Sequence, residues 1–223
     1  MKLSFFKVGK KHRSSLLGTL AVFGLTTFVF FSAYLNLNNQ ASIPAASRQP
    51  ISHGVAGHNA ISLIIPVQRQ GESALAEYNQ KLDILKQRGY HANFFINGFF
   101  ASTNNPLLLR MRDEGHELGN MGFFHRDHRK LDERENRQEI GITHKLIETI
   151  TGVNMNLFLP PNNHYNTKTI EIAEELGYKT IIANNRKQAG GFIKISNITE
   201  LNSALDSSFS ILTITQNSAI LNA

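Results

Sequence analysis

Short apolar runs alternate with amphipathic segments from residue 60 onward, and this alternation constrains the fold of the chain more than any other feature. The first run, Ala60–Val67, reads AISLIIPV, and residues 73–88 then show helical periodicity that ends at Gly89. Similar pairs follow until a last apolar run at residues 209–215. Because strands joined through helices form parallel sheets with right-handed crossovers, the sequence predicts an α/β fold. The pattern alone fits either an open doubly wound sheet or a closed barrel.

The N-terminal segment has the composition of a membrane anchor. Residues 16–35, LLGTLAVFGLTTFVFFSAYL, are uncharged and apolar over about the length that a helix needs to cross a bilayer. Basic residues precede this run and none follows it before Arg48, so the positive-inside rule places the N-terminus in the cytoplasm. Two alternatives are a signal peptide cleaved near Phe31-Ser32-Ala33 and a buried core helix.

These features divide the chain into four predicted segments. They are a cytoplasmic basic segment (1–14), a transmembrane signal-anchor (15–35), a linker rich in Asn, Ser, Ala, Gly and Pro (36–59), and a globular domain (60–223). The globular domain is then extracytoplasmic, in the cell envelope or periplasm, and is attached to the membrane by the N-terminal helix.

The positive charge of the chain is concentrated at its N-terminus. Six of the 23 Lys and Arg residues lie within residues 1–48, and all 17 Asp and Glu residues come later. The globular part is therefore formally neutral, and its charge does not predict a nucleic-acid-binding surface. The chain has no cysteine, so disulfides and thiolate metal sites are excluded. Any metal would have to be held by His, Asp or Glu.

Residues 113–131, DEGHELGNMGFFHRDHRKL, contain the densest group of polar residues with catalytic potential. Gly115 follows a helix pattern as a stop signal, and residues 116–120 form a short strand pattern. His125, Asp127 and His128 come just after that strand. In an alternating strand and helix fold, catalytic and metal-binding side chains collect at this end of the strands.

This stretch resembles the histidine motif of the polysaccharide deacetylases, the NodB-homology carbohydrate esterases, which runs D-E-G-H-E-I-G-N-H-[ST]-x-x-H-P-D. Residues 89–120 and 151–180 resemble the neighbouring family segments, including K-A-T-F-F-V-x-G and R-P-P-Y-G. The resemblance implies an irregular (β/α) barrel of about seven parallel strands, here preceded by the transmembrane helix. It also implies removal of an acetyl group from an acetylated sugar by a metal, usually zinc, bound to the two motif histidines.

The chain departs from the family at the positions that carry this chemistry. The two aspartates of the first motif, T-F-D-D-G, fall on Pro66 and Val67, and the first histidine of the second motif falls on Met121. The arginine of R-P-P-Y-G falls on Leu159, and the general acid near the last strand falls at Ile214. A thioether does not replace imidazole as a zinc ligand, and none of the other side chains can bind a metal or transfer a proton.

The sequence therefore predicts no catalytic residues and no cofactor, with zinc expected only if the domain is active. His125 is a vestigial metal ligand in this interpretation. A rearranged metal site built from His116, His125 and His128 is the alternative. Six residues could still contact a sugar, and four of them belong to the loop that matches R-P-P-Y-G: Pro160, Pro161, Asn162, Asn163, Tyr165 and Asn184.

The functional prediction is an inactive, extracytoplasmic, polysaccharide-deacetylase-like domain that binds an envelope polysaccharide such as peptidoglycan, or an envelope partner. One alternative is an active carbohydrate N-deacetylase, a hydrolase of carbon–nitrogen bonds other than peptide bonds. The other is a structural interaction protein whose groove is closed by Phe123, Phe124 and Leu159. The motif positions further predict that Pro66, His125, Pro160 and Asn184 lie near one rim of the barrel.

Overall fold

A computed structural model describes residues 49–54, 59–183 and 190–214 of the 223-residue chain. The described residues contain seven strands, which are β1 (Ala60–Val67), β2 (Asn93–Ile96), β3 (Glu117–Asn120), β4 (Leu157–Phe158), β5 (Lys179–Thr180), β6 (Phe192–Lys194) and β7 (Ser210–Ile211). The helices between them are α1 (Glu72–Arg88), α2 (Gly98–Ala101), α3 (Asn105–Asp113), α4 (Glu133–Thr151), α5 (Thr167–Glu175) and α6 (Ile198–Leu205). The predicted alternation is confirmed.

Local sequence signals set the ends of the helices. At the start of α4 the Asp132 carboxylate accepts from the Glu135 amide, and the Glu135 carboxylate accepts from the Asp132 amide. This capping box satisfies two backbone donors that the first turn would leave unpaired. The helix ends at Gly152, which has the left-handed φ of 73° that glycine tolerates.

The sheet is parallel throughout and is ordered β5-β4-β3-β2-β1-β6. The seventh strand, β7, pairs only with the first two residues of β1, Ala60 and Ile61. The predicted parallel sheet of about seven strands is therefore confirmed for the described residues.

Pro66 can lie inside β1 because β6 has already ended at that level. The β6 strand pairs with Ser62, Leu63 and Ile64, and the Ile195 amide then donates to the Ile64 carbonyl. Backbone groups alternate sides along a strand, so the missing N–H of Pro66 faces this vacant edge. No ladder hydrogen bond is lost there.

Residues Ile51 to Gly54 lie between the two outer strands of the curled sheet. The Ile51 amide donates to the Thr180 carbonyl at 2.8 Å, and the Gly54 amide donates to the Gly190 carbonyl. These contacts connect the end of β5 with the start of β6 in the curled, half-barrel sheet. The segment falls within the predicted linker of residues 36–59, and the boundary of that linker stays a prediction.

Apolar side chains form two clusters on the two faces of the sheet. The larger cluster lies between the sheet and the helices and includes Leu63, Ile65 and Val67 of β1. The smaller cluster fills the inside of the curled sheet, and its members are Ile64, Phe95, Met121, Leu157, Leu159, Ile181, Phe192 and Ile214. The inner cluster forms the floor below the carboxyl ends of the strands.

The predicted anchor, residues 15–35, lies outside the described residues. Within the described part of the chain, no helix combines the length and apolar character needed to cross a membrane. The membrane anchor therefore stays a prediction.

Gly119 provides a test of how tightly the inner cluster is packed. A Cβ at position 119 would lie 2.5 Å from the Phe95 ring, and Phe95 is completely buried. We expect Gly119→Ala to lower the free energy of unfolding by about 1–3 kcal/mol, because the ring has to move within a packed core.

The matched control for this substitution is Gly141→Ala in α4. A Cβ at position 141 would meet no atom within 4 Å, and helix propensity favours alanine by about 1 kcal/mol. Urea unfolding monitored by circular dichroism measures both effects. Equal stability of the wild type and Gly119→Ala would contradict the packing described here.

Candidate functional site

A cavity of about 200 Å³ opens at the carboxyl ends of the strands. Catalytic side chains collect at this end of parallel α/β sheets because several strand ends and loops meet there. The described residues that line the cavity come from β1, β6 and the loops after β3, β4 and β5, and they are Pro66, Gln68, Met121, His125, Leu159, Pro160, Asn162, Asn163, Ala183 and Lys194.

Three of the four residues predicted to share one rim line this cavity together. Pro66 comes from β1, His125 from the loop after β3, and Pro160 from the loop after β4. The fourth, Asn184, lies outside the described residues, although Ala183 immediately before it lines the cavity. The alignment of the first three motifs therefore agrees with the folded structure.

Apolar side chains occupy the positions at which the family motifs place catalytic groups. Met121 and Leu159 line the cavity with only 2% and 5% of their surface exposed, and both belong to the inner apolar cluster. The side chain of Val67 lies on the opposite face of β1 from that of Pro66, because side chains alternate between the two faces of a strand. Val67 is fully buried in the outer cluster, so it does not line the cavity.

The structure corrects the predicted position of the fifth motif at Ile214. The Ile214 amide donates to the Asn93 side-chain oxygen at 2.8 Å, and Asn93 is the first residue of β2. Ile214 is thus part of the floor below the cavity and does not line it. The reason is that β7 pairs only with the amino-terminal end of β1, so Ile214 lies below the rim.

Lys194, at the end of β6, lines the cavity on the side of that strand. Its role there was not predicted from the sequence. Residues 192–195 showed only a weak strand pattern, and a single lysine in such a short segment carries no motif. The register of β6 against β1, with Lys194 beside Ile64, is what brings the lysine to the cavity.

His125 is held in an unusual backbone conformation with a φ of 56°. Its Nε2 lies 3.3 Å from the side-chain nitrogen of Asn162, so Nε2 accepts and the ring proton is on Nδ1. Nδ1 is buried without a hydrogen-bond partner among the described residues. Burial lowers the pKa of His125, and the positive charges of Lys194 and His164 lower it further. The imidazole is therefore neutral at neutral pH.

Asn162 and Asn163 also have left-handed backbone conformations, with φ of 55° and 57°, which asparagine tolerates better than most residues. Both line the cavity, and the Asn163 side chain donates to the Ala183 carbonyl at 3.0 Å. Of the other predicted sugar contacts, Pro160 lines the cavity, whereas Pro161 and Tyr165 do not. Pro161 is instead a buried residue of a short 3-10 turn.

Asp127 is the acidic residue of the histidine motif that the chain retains. It pairs with Arg129 through two hydrogen bonds of 2.9 and 2.7 Å, and this ion pair holds the pKa of Asp127 well below its usual range. His164 lies 3.7 Å from the same carboxylate. Asp127 is thus engaged by Arg129 and does not line the cavity.

The alternative metal site of His116, His125 and His128 is wrong. His116 is buried at the amino end of β3, where its Nδ1 accepts from the Ala92 amide and its ring packs against Phe94. His128 is buried with its Nδ1 2.7 Å from the Asn136 side-chain oxygen. Neither lines the cavity, and the described residues contain no group of three or more His, Asp or Glu that could hold a metal.

The donor set of the cavity does not fit zinc. Catalytic zinc sites use three protein ligands and one water molecule. Among the described residues that line the cavity, His125 is the only one able to bind zinc strongly, and none carries a carboxylate.

Phe123 and Phe124 do not close the cavity, which contradicts the alternative of a closed groove. Leu159 lines the cavity, but the two phenylalanines lie beside it, and 63% of the Phe124 surface is exposed. The backbone amides of both phenylalanines donate to the buried Glu139 carboxylate at 2.7 and 2.8 Å. This carboxylate fixes the loop that carries both rings.

Residues 73–181 match the family model described as polysaccharide deacetylase. This match covers just under half of the chain and confirms the resemblance found in the motifs.

Individual relatives agree with this assignment. The peptidoglycan-N-acetylmuramic acid deacetylase PdaA of Bacillus subtilis is 33% identical over 101 residues, which are 45% of this chain and 38% of PdaA. The chain thus matches well under half the length of this curated relative.

Solved structures share the fold. A family 4 carbohydrate esterase from Bacillus anthracis aligns with a TM-score of 0.70 at 20% identity, over 78% of this chain and 89% of the esterase. A CE4 family pseudoenzyme from Bacillus anthracis aligns with a TM-score of 0.67 at 22% identity, over 76% of this chain and 69% of the pseudoenzyme. At these identities the structures establish the fold alone.

The buried His116 makes stability depend on pH. Burial lowers its pKa from 6.5 to about 4, and the nearby His91 adds to this effect. Between these two values the unfolded chain binds a proton that the folded chain does not, so stability falls as the pH falls from about 6.5 to about 4. We expect this histidine to contribute a loss of the order of 3 kcal/mol over that range.

Replacing the histidine tests this linkage. In His116→Gln the free energy of unfolding, measured by urea titration at a series of pH values, should vary less between pH 6.5 and pH 4 than in the wild type. His53→Gln, at an exposed position, is the matched control. An unchanged pH dependence in His116→Gln would show that His116 does not contribute.

Proposed function

We propose that this chain is a non-hydrolytic member of the polysaccharide deacetylase family that binds an N-acetylated glycan of the cell envelope. The observation that carries the proposal is the cavity at the carboxyl ends of the strands. It is retained, but Pro66, Met121 and Leu159 line it where the family motifs place an aspartate, a histidine and an arginine. The anchor of residues 15–35 would hold the domain at the outer face of the membrane.

The side chains of the cavity do not support hydrolysis of an acetamide. Metal-dependent hydrolysis needs an ion that activates water and polarises the carbonyl group, and the donor set does not fit zinc. His125 is neutral and could accept a proton, but no carboxylate orients it, since its Nδ1 has no partner among the described residues. A base without an orienting group, in a site without a metal to activate water, lacks two main sources of rate acceleration.

The same side chains suit the binding of an N-acetylated sugar. Gln68, Asn162 and Asn163 bring amide groups to the cavity, and these can both donate to and accept from hydroxyl and acetamido groups. Pro66 and Met121 provide apolar contacts for an acetyl methyl group. The described lining is about half apolar and half polar, and convergent polar groups in a concave site fix the orientation of a bound small ligand.

The known relatives support the choice of glycan. PdaA is named for its action on the N-acetylmuramic acid of peptidoglycan, and the Bacillus anthracis pseudoenzyme combines this fold with a lack of activity. We therefore propose peptidoglycan as the ligand class.

Binding and hydrolysis can be measured separately on the full chain in mild detergent. With peptidoglycan fragments and N-acetylglucosamine oligomers, we expect saturable binding by calorimetry and no metal-dependent release of acetate. Asn162→Gly removes a cavity amide but keeps the left-handed backbone, so it should weaken binding several-fold for a loss of about 1 kcal/mol.

Two results would contradict the proposal. Chelator-sensitive acetate release that His125→Ala abolishes would establish an active carbohydrate N-deacetylase. Failure of the wild type to bind any of the glycans, in a protein whose thermal unfolding is cooperative, would exclude the binding function.

A further inference from the structure

A second recess of about 210 Å³ lies beside the cavity and has a different character. Its lining consists of Gln68, Asn97, Phe99, Phe124 and His125. Gln68 and His125 line both the recess and the cavity, so the two are contiguous.

Two phenylalanine rings form an exposed platform on the recess. Phe99 and Phe124 expose 51% and 63% of their surface, and their ring centroids are 6.3 Å apart with the planes inclined by 35°. Phe123 packs edge-on against Phe124 with a centroid distance of 4.6 Å. Large exposed aromatic groups are uncommon on a soluble surface and often mark binding sites.

The backbone holds the platform in place. The Phe99 amide donates to the Phe123 carbonyl at 3.0 Å, and the Gly98 amide donates to the Gly122 carbonyl at 2.9 Å. Glu139 is only 4% exposed, and its carboxylate accepts from the amides of Phe123 and Phe124. These bonds hold the loop that carries the two rings. The rings are therefore presented to solvent by a rigid support, which lowers the entropy lost on binding.

Three buried polar atoms of the recess have no hydrogen-bond partner among the described residues. They are the side-chain oxygen of Gln68, the side-chain nitrogen of Asn97 and Nδ1 of His125. Asn97 is only 3% exposed, and its oxygen is already used to cap α2 by accepting from the Phe100 amide at 3.1 Å. Buried polar groups are rarely left unpaired in folded proteins, so a polar ligand in the recess that reached these atoms would satisfy them.

We propose that this recess is a second sugar subsite, in which one pyranose ring of a glycan stacks on Phe99 and Phe124 while the next unit enters the cavity. This inference rests on the proposed glycan-binding function and adds a location and a mode of contact. The C–H face of a pyranose packs on an aromatic ring, and its hydroxyl groups can pair with the two donors and one acceptor. An apolar side chain of a protein partner would cover the rings but leave those three atoms unpaired.

A single tryptophan provides a direct reporter of stacking. The chain contains no tryptophan, so Phe124→Trp in the full chain, in mild detergent, has one indole fluorophore at the platform. Titration with N-acetylglucosamine hexamer should give a saturable change in its emission. An affinity within about threefold of the wild type, measured by calorimetry, is expected because the aromatic surface is retained.

Removal of the rings should weaken binding without unfolding the protein. We expect Phe99→Ala and Phe124→Ala to weaken hexamer binding by about tenfold each, in line with the usual strength of aromatic stacking. Ile142→Ala is the matched control, because Ile142 is 53% exposed on α4 and does not line either site; its affinity should match that of the wild type.

Asn97→Asp tests the polar part of the subsite. The aspartate keeps the oxygen that caps α2 and removes the unpaired donor, so hexamer affinity should fall by about tenfold. Because position 97 is only 3% exposed, the new charge should also lower thermal stability, and affinity is therefore compared well below the unfolding temperature of the variant.

The outcomes separate this inference from the proposed function. If the wild type binds the hexamer and both alanine variants bind equally well, the platform is not a subsite, although glycan binding stands. If the wild type binds no glycan, the proposed function fails and this inference fails with it.

Discussion

The buried side-chain amide of Asn120 connects the sheet to the loop after β3, and this loop contributes residues to both the cavity and the recess. Its side-chain nitrogen donates to the Ile140 carbonyl at 2.8 Å and to the Tyr178 hydroxyl at 3.1 Å, and its oxygen accepts from the Gly122 amide at 2.9 Å. Asn120 is completely buried, so each lost partner would leave an unpaired polar group in the core at about 1–3 kcal/mol. The loop that carries Phe123, Phe124 and His125 therefore begins from a fixed point.

Tyr178 extends this network to α4. Its hydroxyl lies 2.5 Å from Nδ1 of His144, and burial raises the pKa of Tyr178 to about 12. The hydroxyl thus stays protonated at physiological pH. This network fixes the scaffold around the cavity, where apolar side chains occupy the positions at which the family motifs place catalytic groups.

Pro66, Met121 and Leu159 replace an aspartate, a histidine and an arginine of the family motifs, and the three replacements are physically consistent with each other. An aspartate at position 66 would be stabilised by a metal or an arginine, and the positions that would supply them hold Met121 and Leu159. Without those partners a partly buried carboxylate would lose hydration, and among the described residues that line the cavity only Lys194 could offset this cost. A fold can persist while its chemistry is removed, because function depends on the site and not on the scaffold.

Much of the scaffold could be predicted from the sequence. The alternation of strands and helices, the capping box at Asp132 and the turns at Gly89 and Gly152 are local signals, and the structure shows each of them. Motif spacing also predicted that Pro66, His125 and Pro160 would meet at one cavity. Each of these residues follows or ends a strand, and parallel strands bring their carboxyl ends to the same edge.

The features that the sequence did not predict depend on pairings between distant parts of the chain. Residues 51–54 have no strand pattern, and only the two open edges of the sheet determine where they lie. Ile214 was expected at the rim and Lys194 was not identified, because the register of β6 and β7 on β1 cannot be read from either short strand. The unpaired atoms of Gln68 and Asn97 are likewise visible only once the recess is assembled.

The central claim, that the cavity has lost its metal site, is tested most directly by calorimetric zinc titration of the full chain and of the double variant Pro66→Asp, Met121→His. Together with His125, the two new side chains give the three protein ligands of a catalytic zinc site. We expect no zinc binding at the cavity of the wild type and measurable 1:1 binding by the double variant. Stoichiometric zinc binding by the wild type that His125→Ala abolishes would contradict this account.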